Sequence, residues 1–293
     1  MDTKRIVLGT AGLGGVWGKV DERTAVRTIL QALDSGITAI DTAPAYGDAE
    51  YYLGKALQQW KGPLPAISTK AGRLRSYAAD QGHYDYSTTG MMNSVHHSLK
   101  TLDLPAVDIL FLHDPEAVPS QEADRVVAVL QDLKQKGLTQ KIGLGGNIPV
   151  WFEHHIKAGI FDVIMEFNRL NACNVAALQD RLPCCNERNI DYFAASPLNM
   201  GLLGKNFQRW QQEPPQWLPI GIITVAQRLQ QIATENHLAL PALAHRFLLN
   251  VPYDFSIVIG ASDRTELEST LASLRQGALP ASVYRDILEC NNR

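Results

Sequence analysis

The sequence predicts an α/β protein in which eight parallel strands, each followed by a helix, close into a single-domain (β/α)8 TIM barrel spanning residues 1–293. Three observations carry this. Short apolar runs alternate with segments of helical spacing along nearly the whole chain. Several runs end on a polar residue next to Gly or Pro, which forces a loop at the C-terminal end of a strand. And although a prior of about 150 residues per domain would suggest two domains, no linker or second domain interrupts the rhythm. A doubly wound sheet is the alternative, and it would need that missing boundary.

Taken in order, the first strand is expected at 5–8, ended by Gly9-Thr10-Ala11-Gly12. A helix over 22–35 follows from the spacing of Ala25, Ile29, Ala32 and Leu33, with Gly36 stopping it. Strands are expected at 38–41 and 66–69, separated by a helix at 49–59. A polar, Tyr-containing loop at 72–87 leads to a helix at 89–102, a strand at 107–112 and a long helix at 121–136 ended by Gly137. The second half continues with strands at 141–144, 161–165, 190–194 and 255–259. Its helices are expected at 150–158, 174–188 in spite of Pro183, 224–236, 240–249 opened by Pro241, and 264–274. The segment 204–221 is rich in Pro, Gln and Trp and has no period, so it reads as a long loop or lid near the barrel mouth.

Composition excludes more than it selects. The chain is 45% hydrophobic and 19% charged with a formal net charge of −3, so neither nucleic acid nor an anionic membrane is an expected partner. No run approaches the ~18 apolar residues of a membrane span, and Met1-Asp2-Thr3-Lys4-Arg5 lacks a signal peptide's apolar segment. A cytoplasmic protein is the expectation. Cys173, Cys184, Cys185 and Cys290 have no metal-ligand spacing, so they read as reduced and structural, and no metal is expected. His96-His97 and His154-His155 look like metal pairs, but adjacent helical residues point to different faces, so all four read as surface residues. Gly12-Leu13-Gly14-Gly15-Val16-Trp17 begins like a dinucleotide fingerprint, yet Trp17 holds the third glycine position and no acidic residue closes a second strand at the required distance. Those glycines read instead as letting the first loop pass close to a ligand.

Asp41, Tyr46, Lys70 and His113 stand at the ends of successive predicted strands, so a barrel would gather them at one mouth. Alone, each has an ordinary structural explanation: a cap, an amphipathic core ring, a satisfied interior group. Together with the motifs around them they have another. The chain resembles the aldo-keto reductases over nearly its whole length, through Ile40-Asp41-Thr42-Ala43-Pro44-Ala45-Tyr46-Gly47, Ser68-Thr69-Lys70, Asp108-Ile109-Leu110-Phe111-Leu112-His113, Lys141-Ile142-Gly143-Leu144-Gly145-Gly146-Asn147 and Ser196-Pro197-Leu198. Within the family it is most similar to the aldose 1-dehydrogenase branch, which includes D-threo-aldose (L-fucose), L-galactose and pyridoxal dehydrogenases. Ser68-Thr69-Lys70-Ala71-Gly72-Arg73, Tyr86-Ser87, His113-Asp114-Pro115 and Phe193-Ala194-Ala195-Ser196-Pro197-Leu198-Asn199 carry that narrower likeness.

The resemblance implies a catalytic tetrad of Asp41, Tyr46, Lys70 and His113. Tyr46 would move the proton at the carbinol oxygen, although a phenol with a pKa of about 10 is a poor base at neutral pH. Lys70 would lower that pKa, Asp41 would hold Lys70, and His113 would orient the substrate oxygen. For the cofactor, NAD with NADP as the second choice, the resemblance assigns Gly9 and Thr10 to the nicotinamide ribose, and Asn147 to the carboxamide. It assigns Ser196 and Leu198 to the pyrophosphate, and Gly260, Ala261, Ser262 and Glu266 to the adenosine end. Trp17 would line the substrate pocket.

Three departures from the family pattern are visible. Ala195 replaces an aromatic residue that stacks on the nicotinamide, Ser269-Thr270 replaces a Glu-Asn pair near adenine, and Gly260 and Glu266 stand where basic residues meet the 2′-phosphate of NADP. At the sixth strand end, any of Glu166, Phe167, Asn168 or Arg169 is a candidate to face the cofactor. The expected activity is NAD(P)-dependent oxidation of an aldose at C1 to a lactone, the substrate being a small sugar or aldehyde. The alternatives are an NADPH-dependent reductase of small aldehydes or ketones, a non-catalytic nucleotide-binding barrel, and a Schiff-base enzyme using Lys70, which leaves Tyr46 and Asp41 without a role.

Overall fold

A computed structural model describes residues 5–78 and 80–291; the N-terminal residues 1–4, where the absence of a leader was read, lie outside the described residues. Eight parallel strands form a closed barrel in sequence order: β1 (Ile6–Gly9), β2 (Ala39–Asp41), β3 (Ala66–Ala71), β4 (Val107–His113), β5 (Thr139–Gly145), β6 (Val163–Phe167), β7 (Asp191–Ala195) and β8 (Ser256–Gly260). Closure is made by β1 pairing β8, with Gly9 opposite Gly260. The helices are α1 (Glu22–Asp34), α2 (Ala49–Gln59), α3 (Thr88–Leu102), α4 (Ala123–Gln135), α5 (Glu153–Lys157), α6 (Arg181–Arg188), α7 (Phe207–Gln212), α8 (Ile220–Glu235), α9 (Leu240–Leu248), α10 (Arg264–Arg275) and α11 (Ala281–Asn291).

Strand alternation separates two apolar layers. Val7, Phe111, Val163, Met165, Phe193 and Val258 point inward and fill the barrel. Ile6, Leu8, Ile40, Leu110, Leu112 and Ile164 point outward and pack under the helices. Helix starts follow capping chemistry: the Asp21 carboxylate accepts from Thr24 N at 2.9 Å to open α1, and Ser87 Oγ accepts from Gly90 N at 3.0 Å to open α3.

The structure departs from the sequence reading in four places. The 204–221 segment is not a continuous loop: α7 lies inside it, with Trp210 buried and packed edge-on against Trp217, ring centroids 5.4 Å apart. The segment 174–188 is a short turn at Ala176–Leu178 followed by α6, where Pro183 sits in the first turn and its missing N–H leaves no helical bond unmade. A further helix, α11, follows the last predicted one and buries Val283 and Ile287, the i and i+4 positions of its inner stripe. And His155 is 5% exposed, so of the pair His154-His155 only His154 is a surface residue. Cys173 and Cys185 are buried, and burial pushes the Cys185 thiol up to about 12, which makes it inert. No helix among the described residues is long and apolar enough to cross a membrane.

Candidate active site

Register builds the site. Asp41, the last residue of β2, is opposite Ser68 of β3; Lys70, two residues on and therefore on the same face, is opposite Phe111 of β4; His113 is again two residues on. All of them face the barrel mouth. Ser68 Oγ donates to Asp41 Oδ1 at 2.8 Å. Lys70 Nζ donates to both Asp41 oxygens, at 2.7 and 2.6 Å, and to the Thr42 carbonyl at 2.9 Å. Asp41 and Lys70 are each 2% exposed, so this is a buried pair with every ammonium proton assigned.

Tyr46 is half-buried and reaches in from the β2–α2 loop. Lys70 Nζ lies 4.8 Å from the centre of its ring, and the His113 ring stands edge-on to it with centroids 5.6 Å apart. The loop is held by close backbone approach. A Cβ on Gly14 would stand 1.8 Å from the Tyr46 carbonyl oxygen, and Gly47, at φ +56°, packs on the Gly14 carbonyl. Of the fingerprint-like stretch, Gly14 therefore serves the Tyr46 turn, because only a residue without Cβ fits there.

Electrostatics correct one expectation. Burial raises the Tyr46 phenol above its ordinary pKa; Lys70 pulls it down, but the Asp41 carboxylate pushes it up again, and the net result is a rise. Lys70 is disfavoured by burial, yet Asp41 and Tyr46 outweigh that and keep it a firm cation. For His113, burial and then the charges of Lys70 and Arg73 hold the pKa well below the usual imidazole range, so the ring is neutral. Its Nδ1 is buried without a hydrogen-bond partner among the described residues.

Beside His113 lies a polar group the sequence reading did not place in the site. Asp114, at φ +50°, pairs with Arg73 at 3.0 Å and accepts from the Tyr84 hydroxyl at 3.1 Å. The Tyr86 hydroxyl donates to the carbonyls of His113 at 2.8 Å and Asp114 at 2.9 Å. His113-Asp114-Pro115 and Arg73 were visible as motif residues; nothing local revealed that they meet.

The residues assigned to a cofactor fit unevenly. Gly9 ends β1 next to Asp41 and Gly260, but Thr10 is fully buried and its hydroxyl donates to the Asp41 carbonyl at 3.0 Å, so it braces the tetrad and has no free donor. Asn147 is exposed just beyond β5, its amide donating to Glu116 at 3.1 Å. Ser196 has φ +63° and its Oγ accepts from Met200 N at 2.7 Å, while Leu198 is partly buried against the core. Ala261 abuts Gly12, where a Cβ would come within 2.8 Å of its carbonyl oxygen. Both Ser262 N and Ser262 Oγ donate to Glu266 at 2.8 Å. Lys205 approaches the other Glu266 oxygen at 3.7 Å, and Arg264 turns away to Gln31 of α1. Trp17 is 52% exposed on the first loop.

At the end of β6, Glu166 points outward to Tyr192 and Arg181, and Arg169 pairs with Asp180. Alternation leaves Phe167 as the residue aimed at the mouth, directly across from Ala195. The buried Asn168 Oδ1, without a partner among the described residues, and the exposed Asn147 amide leave polar atoms suited to a bound ligand on this side.

Known proteins agree with this architecture. The chain is 30% identical over 278 residues to L-galactose dehydrogenase of Arabidopsis thaliana, covering 92% of this chain and 83% of that one. It is 28% identical to D-threo-aldose 1-dehydrogenase of a Pseudomonas species, covering 96% and 92%. The solved glycerol dehydrogenase of Gluconobacter oxydans, 24% identical, superposes with a TM-score of 0.77 over 98% of this chain and 90% of that one, a likeness of fold. The model of the aldo/keto reductase family matches residues 5–292, and the chain belongs to that family of oxidoreductases.

Proposed function

We propose that this protein oxidises the C1 hydroxyl of a free aldose to a lactone, using Asp41, Tyr46, Lys70 and His113. The observation that carries the proposal is the buried Lys70–Asp41 pair packed against Tyr46 and a neutral His113 at one barrel mouth. A bound nicotinamide would supply the hydride chemistry; the protein supplies position and protons. Tyr46, acting as a phenolate favoured by the charge of Lys70, takes the C1 hydroxyl proton and becomes the neutral phenol. Neutral His113 carries one ring N–H and donates it to the same substrate oxygen. Asp41 keeps Lys70 charged and in place. Arg73, Asp114 and Tyr84, next to His113, offer the mixed donors and acceptors that recognise a polyhydroxylated substrate, and exposed Trp17 offers an apolar ring face.

On the cofactor side, Asn147 would hold the carboxamide, with Gly9, Ser196, Leu198, Gly260, Ala261, Ser262 and Glu266 along the rest of the dinucleotide. NAD is favoured because Glu266 repels a 2′-phosphate and Arg264 is engaged elsewhere; Lys205, near Glu266, is the group that would favour NADP. One observation favours a second reading. A Tyr46 held as the neutral phenol is already a proton donor at neutral pH, which suits reduction of a small aldehyde. A panel of aldoses with NAD and NADP, and of aldehydes with NADH and NADPH, followed by nicotinamide absorbance, tests both. Efficient aldehyde reduction with no aldose oxidised would replace the first reading by the second.

A further inference from the structure

We propose that Asp124, His154 and His155 form a binding site for a divalent transition-metal ion of the zinc type on the outer rim of the barrel. The three come from neighbouring helices. Asp124 is in the first turn of α4, and both histidines are in α5. One donor atom from each lies within 4.8 Å of the others, and no second such group of His, Cys, Asp and Glu occurs among the described residues.

The spacing is that of a coordination shell. His155 Nε2 is 3.0 Å from Asp124 Oδ1, and His154 Nε2 is 3.6 Å from the same oxygen. Tetrahedral zinc bonds of about 2.0–2.1 Å place neighbouring ligand atoms about 3.4 Å apart, between those two values. The ring arrangement points the same way. Adjacent helical side chains ordinarily diverge, yet these two imidazoles lie with centroids 3.7 Å apart and planes 40° apart, both turned on one carboxylate. An ion between the three would use all of these donor atoms at once.

Accessibility completes the site. His155 is 5% exposed and packed against Phe152, which gives one fixed ligand. The side chains of His154 and Asp124 are 65% and 87% exposed, so they can close on an ion from the solvent side and leave a position for water. Two imidazoles and one carboxylate suit zinc, cobalt or nickel better than magnesium or calcium. The site lies apart from the tetrad and joins the helices that follow β4 and β5, the strands carrying His113 and leading to Asn147. Its role is a clamp between α4 and α5, and the proposal does not depend on the substrate.

Metal-free full-length protein titrated with Zn2+ by calorimetry, and with Co2+ by visible absorption, tests it. The expected result is one equivalent bound, with cobalt bands of a low-symmetry four-coordinate ion. An outer-shell partner alone is worth about 10–100-fold in affinity, so His154→Ala and Asp124→Ala should each lose at least that. Both positions are exposed, and circular dichroism of the metal-free variants confirms their fold. His96→Ala/His97→Ala, at an exposed pair elsewhere, should bind as the wild type does. Failure of the wild type to take up stoichiometric Zn2+ overturns the proposal, as does undiminished affinity in His154→Ala and Asp124→Ala.

Discussion

At the ends of β2 and β3 the side chains facing the mouth are buried and bonded to one another, with a buried neutral His113 beside them at the end of β4; at the ends of β5 to β8 several polar side chains are exposed or tied to their own loops. Asp41, Ser68 and Lys70 form a closed set of hydrogen bonds. Asn147, by contrast, is exposed, Ser196 bonds its own turn, and Glu266 bonds Ser262 four residues away. On this second side Asn168, Ser196, Asn199 and Met200 have positive φ, as Asp114 does on the first. One half of the mouth is preorganised by electrostatics before any ligand arrives. The other offers backbone turns and adjustable side chains.

The largest break in this comparison comes from the proton carrier. Tyr46→Phe keeps the ring against Lys70 and removes the hydroxyl; turnover should fall by about 10²–10⁴-fold, while nucleotide binding, read by fluorescence titration, stays within a factor of two or so because the other half of the mouth is untouched. Near wild-type turnover would take Tyr46 out of the mechanism.

Next in size is the buried pair. Asp41→Asn leaves Lys70 as an uncompensated buried cation, and breaking such a pair costs about 3–5 kcal/mol. Denaturant unfolding should show that loss, and Asp41→Asn/Lys70→Met should recover most of it without recovering turnover. A double variant as unstable as the single one would show that the pair's charge is not what the core depends on.

Protonation sharpens the contrast between directions. Tyr46 is raised above its ordinary value, so the phenolate fraction grows about tenfold per pH unit up to pH 10 or so. Oxidation, which needs the phenolate, should climb from neutral to alkaline pH, whereas reduction, which needs the phenol, should stay level. His113, held well below the imidazole range, adds no falling limb between pH 6 and 7. An oxidation rate already level at pH 7 would mean that ligand binding lowers the phenol's pKa.

The smallest effect belongs to the adjustable side. A single exposed charge interaction is worth about 1 kcal/mol or less, so Glu266→Gln should shift the NADP-to-NAD affinity ratio up about fivefold at most. Lys205→Ala should shift it down. An unchanged ratio in both variants would place the 2′-position elsewhere.

That Asp41, Lys70 and His113 would reach one mouth was legible because each stands at the end of a strand, with Tyr46 following one within a short motif; that the four form a candidate catalytic set came from the resemblance to the aldo-keto reductases. The cofactor side was less legible. Thr10 reads as a ligand contact from its motif, but its hydroxyl is spent on Asp41. Gly12 and Gly14 were legible as close-approach glycines, but the backbone each approaches, Ala261 for Gly12 and the Tyr46 turn for Gly14, is set by the fold. Phe167 could not be told from Glu166 until the strand phase was set by the barrel.

By itself the sequence determined the alternation of strands and helices and the order of the barrel, since periodicity and strand-end residues are local properties, and its motifs carried the resemblance that singled out the catalytic candidates. Tertiary structure alone decided the sign of Tyr46's shift, because burial and the sum of Lys70 and Asp41 depend on distances across three strands. It also decided that His154 and His155 differ in burial and meet Asp124, a residue about thirty positions away on another helix. Local sequence sets which groups are available; packing sets which of them lose water and which share a charge, and those two changes govern pKa and binding.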